Sequence, residues 1–201
     1  GKKIKSSGAH VDPEKDEIYV DGEKIIYSKY VYYMLNKPDG YVSATEDNLY
    51  PTVIDLIKEY HPGLFPVGRL DVDTEGLLLI TNDGQLAHRL LSPRTHVPKT
   101  YYVKVKGRLG IGDINAFTKG IPLEDFTCMP AFLNIIKSDE ISECEVTIYE
   151  GKFHQVKRMF QACGKEVVYL KRISMGELKL DENLKLGHYR PLTDEEINSI
   201  L

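Results

Sequence analysis

PVGRLDVDTEGLLLITNDG, residues 66–84, is the stretch that decides how this chain folds. Apolar runs on both sides of an acidic turn predict two strands, residues 65–70 and 77–81, and Asn-Asp-Gly predicts a second turn at 82–84. Asp71 therefore lies at the mouth of a hairpin-like unit, and three further charged residues flank it: Arg69, Asp73 and Glu75. A carboxylate held where two buried strands meet is partly shielded from water and can act as a nucleophile or a base. The alternative is that these acidic residues form only a polar turn.

The bulk composition is that of an ordinary globular protein with one substantial core. Hydrophobic residues make up 42% and charged residues 28% of the 201 positions. No apolar run approaches the ~18 residues needed to span a bilayer. The three cysteines are widely spaced and the six histidines show no zinc-binding spacing. We therefore expect no metal, no membrane and a reducing, cytoplasmic environment.

The charges are segregated along the chain, although the net charge is only -4. Residues 84–112 contain no acidic residue and six lysines or arginines, and residues 152–172 contain six cations against one glutamate. Phosphate groups respond to the local field rather than to the total charge. The two segments are either a solvated surface or a basic face that binds nucleic acid.

The rest of the chain reads as a mixture of strands and helices. Residues 18–26 predict a small hairpin around an Asp-Gly turn, and Pro38 and Gly40 predict a turn after a strand at 32–35. The hydrophobic periodicity predicts the remaining elements. These are helices at 52–60, 85–91 and 113–119, strands at 100–106, 142–149, 167–173 and 177–180, and a terminal helix opened by a Thr193 capping box.

Residues 150–164, EGKFHQVKRMFQACG, predict an amphipathic helix that begins near Phe153. Its apolar stripe contains Phe153, Val156, Phe160 and Cys163, and its polar face contains His154, Lys157, Arg158 and Gln161. The spacing presents Lys157 and Arg158 together, in a position suited to a phosphate or a carboxylate. Cys144, on the inward face of the preceding strand, is expected to be a small core residue.

GRLDVDTEGLLLITNDG resembles the signature of the ribosomal RNA pseudouridine synthases, in which the aspartate of Gly-Arg-Leu-Asp is catalytic. NKPDG at 36–40 resembles the first motif of the same family. The resemblance implies an α+β fold with a mixed, mainly antiparallel central sheet and flanking helices. In this family an αL-type RNA-binding domain commonly precedes the catalytic domain. Residues 1–26 resemble its last strands, so we expect a truncated RNA-binding remnant at 1–26, a linker at 27–30 and the catalytic domain at 31–201.

The resemblance also implies roles for individual residues. Asp71 is the catalytic carboxylate, Lys157 is the basic residue that pairs with it, and Tyr101 of Lys-x-Tyr stacks on the target base. Arg69 matches an arginine thought to fill the space left by the flipped nucleotide. Asp73 and Glu75 are expected to be turn residues that bond backbone N–H groups. Further RNA contacts are expected from Lys37, Arg89, Arg94, Lys99, His154 and Arg158, with support of the active-site strand as the other role for Lys37.

The implied reaction converts a uridine to pseudouridine, which breaks the C1′–N1 bond, rotates the uracil and joins C1′ to C5. No cofactor or metal is needed, but the base must leave its helix. FHQVKRM and the ending GHYRPLTDEEI resemble the small-subunit type, which modifies 16S rRNA at uridine 516. The expected partner is ribosomal RNA in a partly assembled small subunit, bound by a monomer. The alternatives are a synthase acting on 23S rRNA, a non-catalytic RNA-binding module, and a glycosidase using Asp71 with Asp73 or Glu75.

Overall fold

The computed structural model describes residues 3–5, 8–12, 15–25 and 28–201, and the chain divides into two compact units, Gly1–Tyr30 and Val31–Leu201. The first unit contains an antiparallel hairpin of β1 (Ile18–Val20) and β2 (Glu23–Ile25). Asp21 and Gly22 form its turn with φ values of 51° and 86°, which confirms the predicted Asp-Gly turn. Residues 26 and 27, part of the predicted hairpin and linker, lie outside the described residues. The role of this unit as an RNA-binding remnant stays a prediction.

A nine-stranded sheet forms the centre of the second unit. Its strands are β3 (Tyr32–Lys37), β4 (Phe65–Pro66), β5 (Glu75–Thr81), β6 (Lys99–Lys106), β7 (Phe132–Lys137), β8 (Ile141–Ile148), β9 (Glu166–Met175), β10 (Leu178–Lys179) and β11 (Tyr189–Pro191). The main order is β11-β3-β5-β9-β6-β8-β7, with β4 beside β5 and β10 beside β9. Among the described strands only β5 and β9 pair in parallel. The predicted mixed, mainly antiparallel sheet is confirmed.

Four α-helices accompany the sheet in the described part of the chain. They are α1 (Gly84–Leu91), α2 (Ile111–Lys119), α3 (Gln155–Ala162) and α4 (Asp194–Ile200). The predicted capping box opens α4: the Thr193 hydroxyl accepts from the Glu196 N–H at 3.1 Å, and the Glu196 carboxylate accepts from the Thr193 N–H at 2.9 Å. Two short 3₁₀-helices cover Val53–Leu56 and Pro93–Thr95.

Two predicted elements are shorter than their patterns suggested. The helix expected at 52–60 is only the 3₁₀-helix Val53–Leu56, because Ile57 is already extended and the Lys58 N–H donates to the Tyr189 hydroxyl instead. The strand expected at 65–70 pairs only at Phe65–Pro66, because Gly68 adopts a φ of +85° that turns the chain. In both places a contact or a backbone turn overrides the local hydrophobic pattern.

The core lies on both faces of the sheet. Alternation along β6 places Tyr101, Val103 and Val105 on one face, as the sequence predicted, and they pack with residues from α2 and α3. The other face packs against α1 and α4. Cys144 is fully buried in the first cluster, and burial raises the pKa of its thiol to about 12. The prediction that Cys144 is a core residue is confirmed.

Candidate active site

A cavity of about 500 Å³ opens on the face of the sheet that carries Tyr101. The residues that carry its chemistry come from distant parts of the chain. They are Asp71 from the loop before β5, Lys99 and Tyr101 from β6, His154 and Lys157 from the start of α3, and Arg172 from β9. The fold therefore brings Asp71, Tyr101 and Lys157, the three predicted catalytic residues, to one place.

The backbone around Asp71 is held by a buried lysine. The Lys37 side chain is 0% exposed, and its ammonium donates to the carbonyl oxygens of Pro38, Asp71, Val72 and Thr74 at 3.1, 3.0, 3.0 and 2.7 Å. Burial lowers the pKa of Lys37 to about 8. The prediction that Lys37 contacts RNA is therefore wrong. Its position fits the alternative role of structural support, but what it supports is the loop that carries Asp71 rather than a strand.

A second anchor fixes the residue before Asp71. The Ser43 hydroxyl accepts from the Leu70 N–H and donates to the Leu70 carbonyl, both at 3.0 Å. The Thr74 N–H donates to the Asp71 carbonyl at 3.0 Å and closes the turn. The main chain of residues 70–74 is thus bonded from two sides, and the Asp71 side chain leaves it in a defined direction.

Two basic side chains of α3 and its N-cap contact the Asp71 carboxylate. Lys157 Nζ lies 3.0 Å from Asp71 Oδ2, and His154 Nε2 lies 3.3 Å from Asp71 Oδ1. Lys157 also lies 2.7 Å from Asp73 Oδ1. Burial alone would lower the pKa of Lys157, but its hydrogen bonds to Asp73 and Asp71 outweigh burial and raise it. The hydrogen bond from Lys157 to Asp73 lowers the pKa of Asp73.

The start of α3 differs from its prediction. His154 has a left-handed backbone with φ 48°, so the helix begins at Gln155 rather than near Phe153. Phe153 is 73% exposed and does not join the apolar stripe of Val156 and Phe160. Its ring instead stacks on His154, with 3.7 Å between ring centroids. This turn aims His154 at Asp71.

Arg158 and Lys157 do not act together, contrary to the prediction. Arg158 forms an ion pair with Asp125 and lies 5.5 Å from the centre of the Phe126 ring. Adjacent helical residues point about 100° apart, so Lys157 faces the cavity while Arg158 faces the Asp125 loop. The RNA contact predicted for Arg158 would have to compete with Asp125.

The other cations predicted to bind RNA are spread around the cavity. Arg69 is exposed and Lys99 is half-buried, and both line it. Arg89 in α1 and Arg94 in the second 3₁₀-helix are exposed but do not line it. These positions are compatible with RNA lying across the cavity mouth, which stays a prediction.

The acidic neighbours of Asp71 bind side chains of other elements. Asp73 accepts from Lys157, and Glu75 accepts from the Tyr169 hydroxyl at 2.6 Å. Burial, then the bond to Glu75, raise the pKa of Tyr169. Because Asp71 and Asp73 share one ammonium between them, they do not flank a space for a glycosidic bond. This arrangement disfavours the glycosidase alternative.

Sequence reasoning missed Arg172, which lies across from Tyr101 in the sheet and lines the cavity. Arg172 is 2% exposed; its Nε donates to the Leu77 carbonyl at 2.8 Å, and its Nη2 has no partner in the structure. It was grouped with the surface cations of residues 152–172. The alternation of the strand could have revealed it, because Arg172 and Leu170 are two residues apart and therefore lie on the same, inward face of β9.

Comparisons with known proteins identify the family of this chain. The family model described as RNA pseudouridylate synthase matches residues 31–162. An uncharacterized RNA pseudouridine synthase of Bacillus subtilis, YtzG, is 50% identical over 202 residues, which cover 98% of this chain and 84% of that protein. The ribosomal small subunit pseudouridine synthase A of Escherichia coli is 42% identical over 206 residues, which cover 100% and 87%.

A solved structure extends the similarity to three dimensions. A crystal structure of pseudouridylate synthase matches with a TM-score of 0.80 and 41% identity, covering 100% of this chain and 86% of that chain. This chain belongs to the RNA pseudouridylate synthase family and is an RNA pseudouridine synthase. Within the described residues, no group of three or more histidine, cysteine, aspartate or glutamate side chains could hold a metal ion, and no helix could cross a membrane.

Proposed function

We propose that this enzyme converts a uridine of small-subunit ribosomal RNA, of the 16S uridine-516 type, to pseudouridine with Asp71 as its catalytic carboxylate. The observation that carries the proposal is the setting of Asp71: its main chain is bonded by Lys37, its carboxylate is paired with Lys157, and it lines the same cavity as Tyr101.

Asp71 supplies the one carboxylate that the isomerisation needs. It acts at C1′ or C6 of an everted uridine, or stabilises the charge that develops as the C1′–N1 bond breaks. The Lys157 ammonium balances the charge of the carboxylate and fixes its direction. Because the loop is bonded before substrate arrives, little reorganisation is required.

Tyr101 supplies the platform for the base. Its side chain is 7% exposed and lines the cavity from the floor of the sheet. An aromatic face stacks on a uracil that has left its own stack. After the uracil has rotated and C5 has joined C1′, the proton on C5 must leave, and the Tyr101 side-chain oxygen is the candidate to accept it while its own hydroxyl proton passes to solvent. Arg69, exposed at the cavity, is placed to stack on the bases that remain in the helix.

The choice of small-subunit RNA is supported by the relatives that carry that description. The Escherichia coli protein of that name aligns over the whole of this chain rather than over the catalytic motif alone. We further propose that the enzyme acts in the cytoplasm as a monomer on a partly assembled small subunit. The competing possibility is a uridine in 23S rRNA.

Asp71→Asn tests the catalytic assignment. The amide keeps the shape of the side chain and loses its charge, so pseudouridine formation on ribosomal RNA should disappear while the circular dichroism spectrum and RNA binding persist. Asp73→Asn is the matched control, two residues away on the same loop and bound to the same lysine, and it should lose far less activity. Full activity of Asp71→Asn would remove the assignment.

Mapping pseudouridines in ribosomal RNA from cells that lack the protein tests the target. We expect one site in 16S rRNA to revert to uridine and to return when the wild-type gene, but not Asp71→Asn, is restored. Loss of a site in 23S rRNA instead would replace the small-subunit assignment and leave the catalytic one standing.

A further inference from the structure

Among the described residues, two cations in the cavity have no acidic partner. Arg172 is almost completely buried, and its guanidinium is bonded only through Nε to a neutral carbonyl, with Nη2 unpartnered. Lys99 is half-buried, and its ammonium donates to the neutral carbonyl of Val97 at 3.1 Å. No ion pair to either residue occurs within the described part of the chain. Burial, and then the charge of Arg172, lower the pKa of Lys99.

Several other shielded cations of the same unit are paired with carboxylates, and the enclosed Lys37 is surrounded by four carbonyl oxygens instead. Lys157 has Asp71 and Asp73, and Lys165 Nζ lies 2.9 Å from Asp113 Oδ1. Arg190 is paired with two carboxylates. Burying a cation without an opposite charge is unfavourable, so an uncompensated pair beside a cavity indicates that an anion completes it.

The acidic groups in the cavity wall do not complete the pair. The Glu150 carboxylate accepts from the Met129 N–H at 3.0 Å and from Gln155 Nε2 at 2.8 Å. The Asp71 carboxylate already contacts Lys157 and His154. The missing anion must therefore come with the ligand.

The chemistry of the ligand follows from its neighbours. Arg172 and Tyr101 are directly across from each other on β9 and β6, and Lys99 precedes Tyr101 by two residues on the same face of β6. A uracil stacked on Tyr101 would thus carry its sugar–phosphate next to both cations. Guanidinium and ammonium groups are suited to binding phosphate oxygens.

We propose that Lys99 and Arg172 form a phosphate-binding subsite that takes a phosphate of the everted nucleotide. This inference rests on the proposed function for the identity of the nucleotide. Lys99 makes the direct contact, and Arg172 supplies a second charge from the floor of the cavity. The subsite anchors the nucleotide while Asp71 reacts at its sugar or base.

Binding of mononucleotides tests the subsite without requiring catalysis. Uridine, uridine 5′-monophosphate and uridine 3′-monophosphate are titrated into the wild-type protein by calorimetry at low salt. A charge-assisted hydrogen bond should make at least one monophosphate bind about tenfold more tightly than uridine. Inorganic phosphate should compete with that monophosphate and not with uridine.

Lys99→Met should abolish the advantage of the monophosphate and leave the affinity for uridine unchanged. Lys106→Met is the matched control, because Lys106 is on the same strand, is exposed and lies away from the cavity. Since Arg172 is bonded inside the sheet and its replacement also perturbs folding, Lys99 carries the test. Equal affinities of all three ligands, or an advantage that survives in Lys99→Met, would overturn the proposal.

The outcome is separable from that of the proposed function. A protein that makes pseudouridine but does not prefer the monophosphate lacks the subsite and keeps the function. A protein that prefers the monophosphate through Lys99 but makes no pseudouridine keeps the subsite and loses the function.

Discussion

Replacing the buried Lys37 with methionine should both destabilise the protein and slow its reaction. Methionine has a similar length and fits an apolar space, but it removes the donor shared by four carbonyl oxygens of residues 38–74. Three of those oxygens belong to the loop of Asp71. The substitution therefore loosens the segment that holds the proposed catalytic carboxylate.

The size of the effect follows from two opposing contributions. At about 2 kcal/mol for each hydrogen bond to a charged group, the three N–H groups of the ammonium, which the four oxygens share, contribute on the order of 6 kcal/mol. Burial lowers the pKa of Lys37 from 10.5 to about 8, and at 1.36 kcal/mol for each unit this corresponds to a desolvation cost of roughly 3 kcal/mol. The net loss on substitution is about 3 kcal/mol, which lowers Tm by about 6–12 °C in a domain of this size.

Thermal unfolding and single-turnover kinetics measure the two effects. A displacement of the carboxylate by about 1 Å typically costs on the order of 100-fold in rate, so we expect a 10- to 100-fold loss at a temperature where both proteins are folded. Lys119→Met is the control, since Lys119 is exposed at the end of α2 and its loss should change neither quantity. A Lys37→Met protein with wild-type Tm and wild-type rate would refute the supporting role.

The pH dependence of stability gives an independent check. Because the pKa of Lys37 is about 8 in the folded protein and 10.5 ordinarily, the unfolded chain binds more protons than the folded one between those values. The free energy of unfolding that Lys37 contributes therefore rises with pH in that window, by roughly 1 kcal/mol for each pH unit. Lys37→Met should lack this rise, and parallel pH profiles for the two proteins would contradict the assigned burial.

Two further substitutions or reagents probe the site and the core. Lys157→Met removes a charge-assisted hydrogen bond from Asp71, so the rate of pseudouridine formation should fall about 10- to 100-fold. Arg158→Ala, at the neighbouring position in the sequence, should lose much less activity. Equal losses in the two variants would contradict the pairing of Lys157 with Asp71. Burial raises the pKa of Cys128 to about 11 and of Cys144 to about 12. Iodoacetamide at neutral pH should therefore modify these two thiols on the order of 100-fold more slowly than a free cysteine until the protein is unfolded. Rapid labelling of Cys128 or Cys144 in the native protein, detected by mass spectrometry, would contradict their burial.

Much of the framework could be predicted from local patterns. The strand that begins near Lys99, the helix before Ser92 and the Thr193 capping box all have short-range causes: alternation, an amphipathic stripe and a side chain that bonds the next turn. The errors arose where one residue changed the backbone. Gly68 ended the strand that precedes Asp71, and His154 delayed the start of α3 with a left-handed conformation.

The sequence by itself identified the candidate side chains for the chemistry: the motif around Asp71, the Lys-x-Tyr of Tyr101 and the basic residues of α3 can be recognised without a structure. Only the tertiary structure decided their partners. Lys37 is buried under the Asp71 loop and not exposed at the surface, and Arg158 is paired with Asp125. Arg172 lies beside Tyr101 without a counterion among the described residues. The physical reason is range: strand and helix patterns depend on neighbours a few residues apart, whereas burial and pairing join residues such as Lys157 and Asp71, which are 86 positions apart.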